Sequence, residues 1–257
     1  MNKNRMRISK HLLLSITHLV VGIIVAIVYV QSTRNVPFAE QGMFDVVRNI
    51  DNGVIEARKV ANTKTSVFAT ALIGFPIVTS AFHGLRHGLP NGTGGSTLRF
   101  AEYAITSTAM MYLVGISSGV LGFNELIMLL TLNACTMLLG IVADRQLRNG
   151  DYRGAKITTM VAWLLLAAAW LPVIRSFITA VGEIDFEKFP NAPSESTMYG
   201  IIISMGVLFS CFGVVQLGEV LQLWGSARAD DAYDGLSLVA KTTLVGLIAG
   251  GFFGRKT

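Results

Sequence analysis

The sequence predicts an all-α membrane protein: a bundle of seven transmembrane helices with a small two-stranded β-hairpin in the first outer loop. Composition is the first observation behind this fold class. The chain has 257 residues, of which 52% are apolar and 14% charged, with a mean hydropathy of +0.55, whereas soluble domains carry about 25% charged residues. The second observation is a series of seven long apolar runs. At about 20 residues per span they use roughly 140 residues, which leaves no room for a soluble catalytic domain.

The first apolar run, His11 to Gln31, follows a basic segment from Lys3 to Lys10. A secretory signal peptide begins in the same way, but its apolar region has only about 7–15 residues and ends at a small-residue cleavage site. Here the run is longer, and no such site follows Tyr29. We therefore expect a retained first helix and one domain over residues 1–257. The predicted spans are 11–31, 65–87, 97–115, 124–143, 156–181, 198–224 and 231–253.

The loop between the first two spans contains the predicted hairpin, at about residues 44–60. Two partly alternating segments flank Asp51-Asn52-Gly53. Asn-Gly between such segments is a strong signal for a tight two-residue turn between antiparallel strands. The loop is therefore expected to form a small two-stranded lid on one face of the bundle.

The distribution of lysine and arginine predicts the orientation of the chain. Short cytoplasmic loops carry an excess of both residues. With the amino terminus inside, the inner segments hold eleven basic residues and the short outer segments hold four. The inner residues are Lys3, Arg5, Arg7, Lys10, Arg86, Arg99, Arg145, Arg148, Arg153, Lys156 and Arg228, and the outer ones are Arg175, Lys188, Arg255 and Lys256. This predicts a multi-pass protein of the cell membrane with a cytoplasmic amino terminus and the carboxyl terminus outside.

Other kinds of partner and site receive little support from the sequence. The formal net charge is +5, but the basic residues lie at the edges of apolar runs and form no continuous stripe, so nucleic acid is not an expected partner. Cys135 and Cys211 both lie inside apolar runs, where a thiol commonly serves as a small hydrophobic group. Neither a disulfide framework nor a metal site is expected.

Two ionisable residues stand out inside the predicted spans: Glu102 in the third and Lys241 in the middle of the seventh. A charge in hydrocarbon costs at least roughly 2.5–3.5 kcal/mol, so each needs a partner or a purpose. One interpretation is a structural salt bridge between the two helices. In the other, Lys241 forms an imine with an aldehyde, because a desolvated lysine is more nucleophilic, and Glu102 supplies the anion.

A long conjugated aldehyde would also need a flat apolar slot between the helices. Candidate walls are Trp163, Trp170, Phe209, Phe212, Met110, Met111 and Tyr112. Ser237 lies one helical turn before Lys241 on the same face. His18 and His83 fall in the first and second spans, where with Glu102 they could form a polar cavity that stores a proton. The alternative, metal binding by these histidines, lacks a close spacing of further ligands.

Local motifs in six of the predicted spans resemble those of the heliorhodopsins, a family of retinal-binding membrane proteins, and the resemblance extends over all seven spans. The matching segments are Arg99-Phe-Ala-Glu-Tyr103, Tyr199-Gly-Ile-Ile-Ile-Ser204, Leu236-Ser-Leu-Val-Ala-Lys241, Thr17-His18, Ala81-Phe-His83 and Asn133-Ala134. Heliorhodopsins also have a cytoplasmic amino terminus, opposite to ordinary microbial rhodopsins, and strands in the first outer loop. The resemblance therefore implies a rhodopsin-type bundle.

The resemblance also implies roles for individual residues. Lys241 would carry all-trans retinal as a protonated Schiff base, Glu102 would be its counterion, and His18 and His83 would belong to an inner proton-accepting cavity. The predicted retinal pocket and Schiff-base neighbours are Ser237, Tyr103, Thr106, Met110, Asn133, Trp170, Phe209 and Gln216. Gly246 is a departure, because some family members have a tryptophan after the lysine, and it leaves the colour of the chromophore open.

The expected function is light sensing by a photoreceptor that is not an enzyme. Light would isomerise the retinal and drive a proton into the inner cavity. Net ion pumping is not expected, because Thr106 and Met110, one and two turns beyond Glu102, are not carboxylates. The alternative is a light-gated or light-driven proton or ion transporter, to which Glu219 could contribute, and a third possibility is a retinal-free protein with a structural ion pair. The resemblance implies a homodimer in the lipid bilayer and an unidentified downstream signalling partner.

Overall fold

The computed structural model describes residues 3–33, 41–48, 55–63, 65–88, 95–120, 122–183 and 195–250. Within these ranges the chain forms seven helices and two strands. The helices are α1 (Lys3–Thr33), α2 (Thr65–Gly88), α3 (Gly95–Ser117), α4 (Phe123–Arg148), α5 (Tyr152–Glu183), α6 (Glu195–Val220) and α7 (Ser226–Ile248). Each predicted span therefore falls on a helix, although the ends differ.

Five of the described helices are long and apolar enough to cross a membrane, namely α1, α2, α4, α5 and α6. The other two, α3 and α7, carry Glu102 and Lys241. These two helices have a lower mean hydropathy because each contains charged residues. On a transfer scale, the cost of one charged side chain cancels the gain from several apolar ones.

The junction of α6 and α7 differs from the predicted spans. The sixth apolar run extends to Trp224, but α6 ends at Val220 and α7 already begins at Ser226. Gln222 has a φ of 59°, a left-handed conformation that typically ends a helix. The chain then folds back, and the indole Nε1 of Trp224 donates to the carbonyl oxygen of Val215 at 3.2 Å. The apolar character of residues 221–224 indicates a preference for burial. It does not indicate that the helix has already ended and the chain has turned. The predicted end of the seventh span, 251–253, lies outside the described residues.

Two strands lie between α1 and α2. Strands β1 (Gln41–Arg48) and β2 (Ile55–Thr63) pair antiparallel, with Gln41 opposite Thr63 and Arg48 opposite Ile55. The register shifts between Met43 and Phe44. The predicted Asp51-Asn52-Gly53 turn lies outside the described residues, so the turn type and the face on which the hairpin lies stay predictions.

The helices pack in sequence order, each against the next, and α7 returns to contact α1. Large apolar side chains such as Leu72, Met111 and Leu244 are fully buried between them. Others are widely exposed on the outside of the bundle, as Leu164 is at 70%. An apolar exterior of this kind suits a lipid environment, because water-soluble proteins rarely expose contiguous apolar surface. The interior, in contrast, contains polar and charged side chains as well as apolar ones, and some of these polar side chains form the candidate site.

Candidate functional site

The deepest charged pair joins α3 to α7. Lys241 Nζ lies 2.5 Å from Glu102 Oε1, although the two residues are 139 positions apart in the chain. Lys241 is 2% exposed and Glu102 is fully buried. Removing two charges from water is costly, and only close geometry and further hydrogen bonds recover that cost. The fold therefore brings together the two intramembrane charges that the sequence analysis singled out.

The pair is incompletely satisfied by its protein neighbours. The ammonium of Lys241 lies 5.5 Å from the centroid of the Tyr103 ring, within the range of a cation–π interaction. Among the described residues, Glu102 Oε2 and the hydroxyl of Ser237 are buried and have no hydrogen-bond partner. A buried polar atom without a partner costs about 1–3 kcal/mol. Such atoms beside a buried amine are typical of a place that receives a polar group from a ligand or from water.

A narrow apolar cavity reaches Lys241 from between α3, α4, α6 and α7. Its lining residues are Tyr103, Thr106, Ser107, Met110, Met137, Phe209, Phe212, Ser237, Ala240 and Lys241. A second cavity shares Tyr103, Met137, Phe209 and Phe212 with the first and extends to α5. Because the two cavities share walls, they mark a long apolar slot with the amine of Lys241 near one end.

Three of the predicted pocket residues, Asn133, Trp170 and Gln216, do not line the cavity at Lys241. Gln216 lines the second cavity. Trp170 lines neither and instead packs edge-on against Phe209, with the ring centroids 5.9 Å apart. Among the residues that α5 contributes to the second cavity is Trp163, which lies close to Gly213 of α6. A Cβ at Gly213 would lie 2.5 Å from the indole, so only glycine allows this close approach.

Asn133 of α4 contacts the slot indirectly, through the cavity-lining residue Ser107. Its side-chain nitrogen donates to the hydroxyl of Ser107 at 2.9 Å, and that hydroxyl donates to the carbonyl oxygen of Tyr103 at 2.5 Å. Thr106 donates to the carbonyl oxygen of Glu102 in its own helix at 3.0 Å, a common arrangement for a buried threonine. Ser107 was not among the predicted site residues. Helix α3 has several serine and threonine side chains. Only the packing of α4 against α3 shows that Ser107 contacts Asn133.

Three histidines form a stack between α1 and α2. The rings of His18 and His83 are nearly parallel, with an interplanar angle of 5° and centroids 5.6 Å apart. His11 stacks on the other side of His83, also at 5.6 Å, and their Nδ1 atoms are 3.4 Å apart. Both nitrogens of His18 and Nε2 of His83 are buried without partners among the described residues. The predicted pair is therefore brought together, and His11 is a member that the sequence analysis missed.

The histidine stack lies next to the charged pair. Lys241 is among the groups whose charge acts on both His18 and His83. At the other end of the stack is Asp234 of α7, which is buried and bonded to Arg86 and to Lys10 at 2.9 Å each. This carboxylate was not predicted as a site residue, because its position one turn into the predicted seventh span gives no indication of its partners on α1 and α2.

His11, His83 and Asp234 place ligand atoms within 4.8 Å of one another. The sequence predicted no metal site, and the spacing of these residues along the chain gives no metal-ligand pattern. Asp234 Oδ1 accepts from Arg86, and Oδ2 accepts from Lys10. Both carboxylate oxygens are thus already engaged by cations of the protein, which makes Asp234 the centre of an ion-pair cluster.

Glu219, the possible contributor to transport, lies apart from the cavity at Lys241. It borders a different cavity at the ends of α4 and α6, together with Asp144 and Arg148. Between the two regions, the buried guanidinium of Arg99 pairs with Asp230 and lies 4.2 Å from the centroid of the Tyr233 ring. The structure therefore groups Glu219 with charged residues at the ends of α4 and α6, away from the amine of Lys241.

Comparison with protein families agrees with this arrangement. The family model of the heliorhodopsins matches residues 8–253 of this chain, which confirms the resemblance predicted from the local motifs. A search of curated proteins gave no match. The family consists of light-responsive retinal proteins of the microbial rhodopsin type, and its members lie in membranes. Because the match spans nearly the whole chain, the protein belongs to the heliorhodopsin family.

Proposed function

We propose that the protein is a light-sensing photoreceptor that carries all-trans retinal as a protonated Schiff base on Lys241, with Glu102 as the counterion. The observation that carries this proposal is the buried pair of Lys241 Nζ and Glu102 Oε1, 2.5 Å apart at the end of an apolar slot. A structural ion pair alone would not need a cavity beside its amine. An attached polyene would fill that cavity and keep the carboxylate next to a positive nitrogen.

The residues at the slot fit a retinal group. Phe209, Phe212 and Met110 provide apolar walls for a polyene. Glu102 Oε2 and Ser237 Oγ, which have no hydrogen-bond partner within the described ranges, would accept from or orient a polar N–H near Lys241. When bound, retinal supplies visible-light absorption and a change of shape on isomerisation.

The residues of the protein then control where a proton resides. Glu102 holds the positive charge at the nitrogen of Lys241 in the dark, because opposite charges at this distance attract strongly in a low-dielectric interior. Both ring nitrogens of His18 and Nε2 of His83 have no hydrogen-bond partner in the described part of the chain, and these two rings, as the predicted inner cavity, accept the proton after illumination. We propose that the proton later returns from this cavity, so that no ion crosses the membrane.

Orientation and assembly also belong to the proposal. The excess of basic residues in one set of loops supports a cytoplasmic amino terminus and an outer carboxyl terminus. The histidine stack would then lie towards the cytoplasm. The exposed apolar faces of the helices are compatible with a homodimer in the bilayer, and a downstream signalling partner would receive the change in shape.

The central test is a visible spectrum of the purified protein after addition of all-trans retinal. A visible band is expected, and it should move to longer wavelength when acid protonates Glu102, because loss of the anion lets the positive charge spread along the polyene. Glu102→Gln should show the long-wavelength band already at neutral pH and no further shift of this kind in acid. Absence of a band in the native protein would overturn the proposal.

The absence of pumping is tested in intact cells that contain the retinal-loaded protein. Illumination is expected to produce no sustained change in external pH and no steady photocurrent. A parallel sample with an uncoupler separates proton transport from passive drift. A light-dependent pH change that the uncoupler abolishes would support the transporter alternative, and Glu219→Gln would then show whether that residue takes part.

A further inference from the structure

The histidine stack continues beyond the two residues of the predicted cavity. His11 and His18 are seven residues apart on α1, which corresponds to about 10.5 Å along a helix. His83 of α2 lies between them, with a centroid distance of 5.6 Å to each ring. The three imidazoles therefore form one row, from fully buried His18 to half-buried His11.

The nitrogen atoms of this row are arranged for a proton relay. His83 Nε2 is buried without a partner among the described residues, whereas His83 Nδ1 faces Nδ1 of His11 at 3.4 Å. A neutral imidazole donates from one nitrogen and accepts at the other. If His83 carries its hydrogen on Nδ1, a proton that arrives at Nε2 can be matched by transfer of the Nδ1 hydrogen to His11.

The charges around His11 determine how long a proton stays there. Arg86, Lys10, Asp230 and Asp234 all act on this ring. The carboxylate of Asp234 favours an imidazolium at His11, and the two cations that already bind it oppose one. Burial of the ring and the neighbouring cations together oppose an imidazolium at His11 more than Asp234 favours it, so the protonated ring is a transient state and not the resting state.

We propose that His11 is the terminal proton acceptor of the inner cavity, loaded through His83 and held by Asp234 until the proton returns. In each transfer one proton enters His83 at Nε2 and one leaves from Nδ1, so His83 ends neutral in its other tautomer. The proton on His11 is returned along the same row. This inference rests on the proposed function, because light-driven proton loss at Lys241 supplies the proton.

The test compares His11→Asn with His87→Asn in the purified, retinal-loaded full chain. His87 is the remaining histidine of the sequence and lies outside the stack. After a flash, His11→Asn is expected to shorten the transient loss of visible absorbance at least three-fold, because the proton cannot be stored beyond His83. Light-minus-dark infrared spectra of protein with isotopically labelled histidine should lose the corresponding imidazolium signal. The dark band and its acid titration should not change.

Different outcomes separate this inference from the proposed function. If His11→Asn and His87→Asn give the same lifetime and the same histidine signals, His11 is not the acceptor, whereas the photoreceptor proposal stands. If the native protein gains no visible band with retinal, the proposed function fails and this inference fails with it. Should His11→Asn bind no retinal, His11→Gln serves as the second variant, and an unchanged lifetime in that variant overturns the inference.

Discussion

Lys241→Ala is expected to abolish the visible band of the retinal-loaded protein completely. Imine formation needs a primary amine, and Lys241 carries the amine that reaches the apolar slot. The measurement is the absorption spectrum of purified variant protein after incubation with all-trans retinal. The matched control is Lys156→Ala, which removes an exposed lysine on α5 and should keep the full band.

Loss of colour through unfolding must be distinguished from loss of attachment. Removal of the Lys241 side chain enlarges the cavity, which then has room for a preformed imine of retinal with a small alkylamine. Such an imine, with its nitrogen near Glu102, should restore part of the band in Lys241→Ala. A variant that remains coloured with retinal alone would refute attachment at Lys241.

Glu102→Leu is expected to destabilise the retinal-free protein by about 3–5 kcal/mol, because it leaves the buried ammonium of Lys241 without an anion. The double variant Glu102→Leu/Lys241→Met should recover most of this loss, since well-packed apolar residues in place of both charges are often neutral or stabilising. The measurement is the free energy of unfolding in mixed detergent for the native protein and the three variants of the cycle.

The control for this cycle is Asp231→Asn, which removes an exposed partner of Lys10. The Lys10–Asp231 pair has a distance of 2.6 Å, but the carboxylate side chain is 68% exposed. An exposed pair contributes only about 0–1 kcal/mol. If Glu102→Leu and Asp231→Asn lowered the free energy of unfolding equally, burial would not explain the sensitivity of the Lys241–Glu102 pair to loss of one partner.

The sequence predicts the helices well because hydropathy and length carry their information locally. All seven apolar runs correspond to described helices. Lys241 and Glu102 could also be recognised locally, since each is an ionisable residue inside an apolar run. Their pairing across the bundle was a hypothesis that only the packing of α3 against α7 could address.

The residues that were missed depend on contacts between distant parts of the chain. His11 stands at the edge of the first apolar run, where an interfacial histidine is unremarkable, and its stacking on His83 depends on how α1 packs against α2. The cluster of Asp234, Arg86 and Lys10 likewise joins three helices. Trp170 shows the opposite kind of error, a residue that was predicted for the pocket but does not line it. Its ring packs against Phe209 and reaches neither cavity.

The low hydropathy of α3 and α7 has a consequence for how the protein enters the membrane. A helix with a central charge is recognised poorly as a span by itself, and α7 is synthesised last among the described helices. We therefore expect stable insertion of α7 to depend on a bundle that already presents Glu102 of α3. Retention of the last described helix in the bilayer would then be coupled to formation of the buried pair between Lys241 and Glu102.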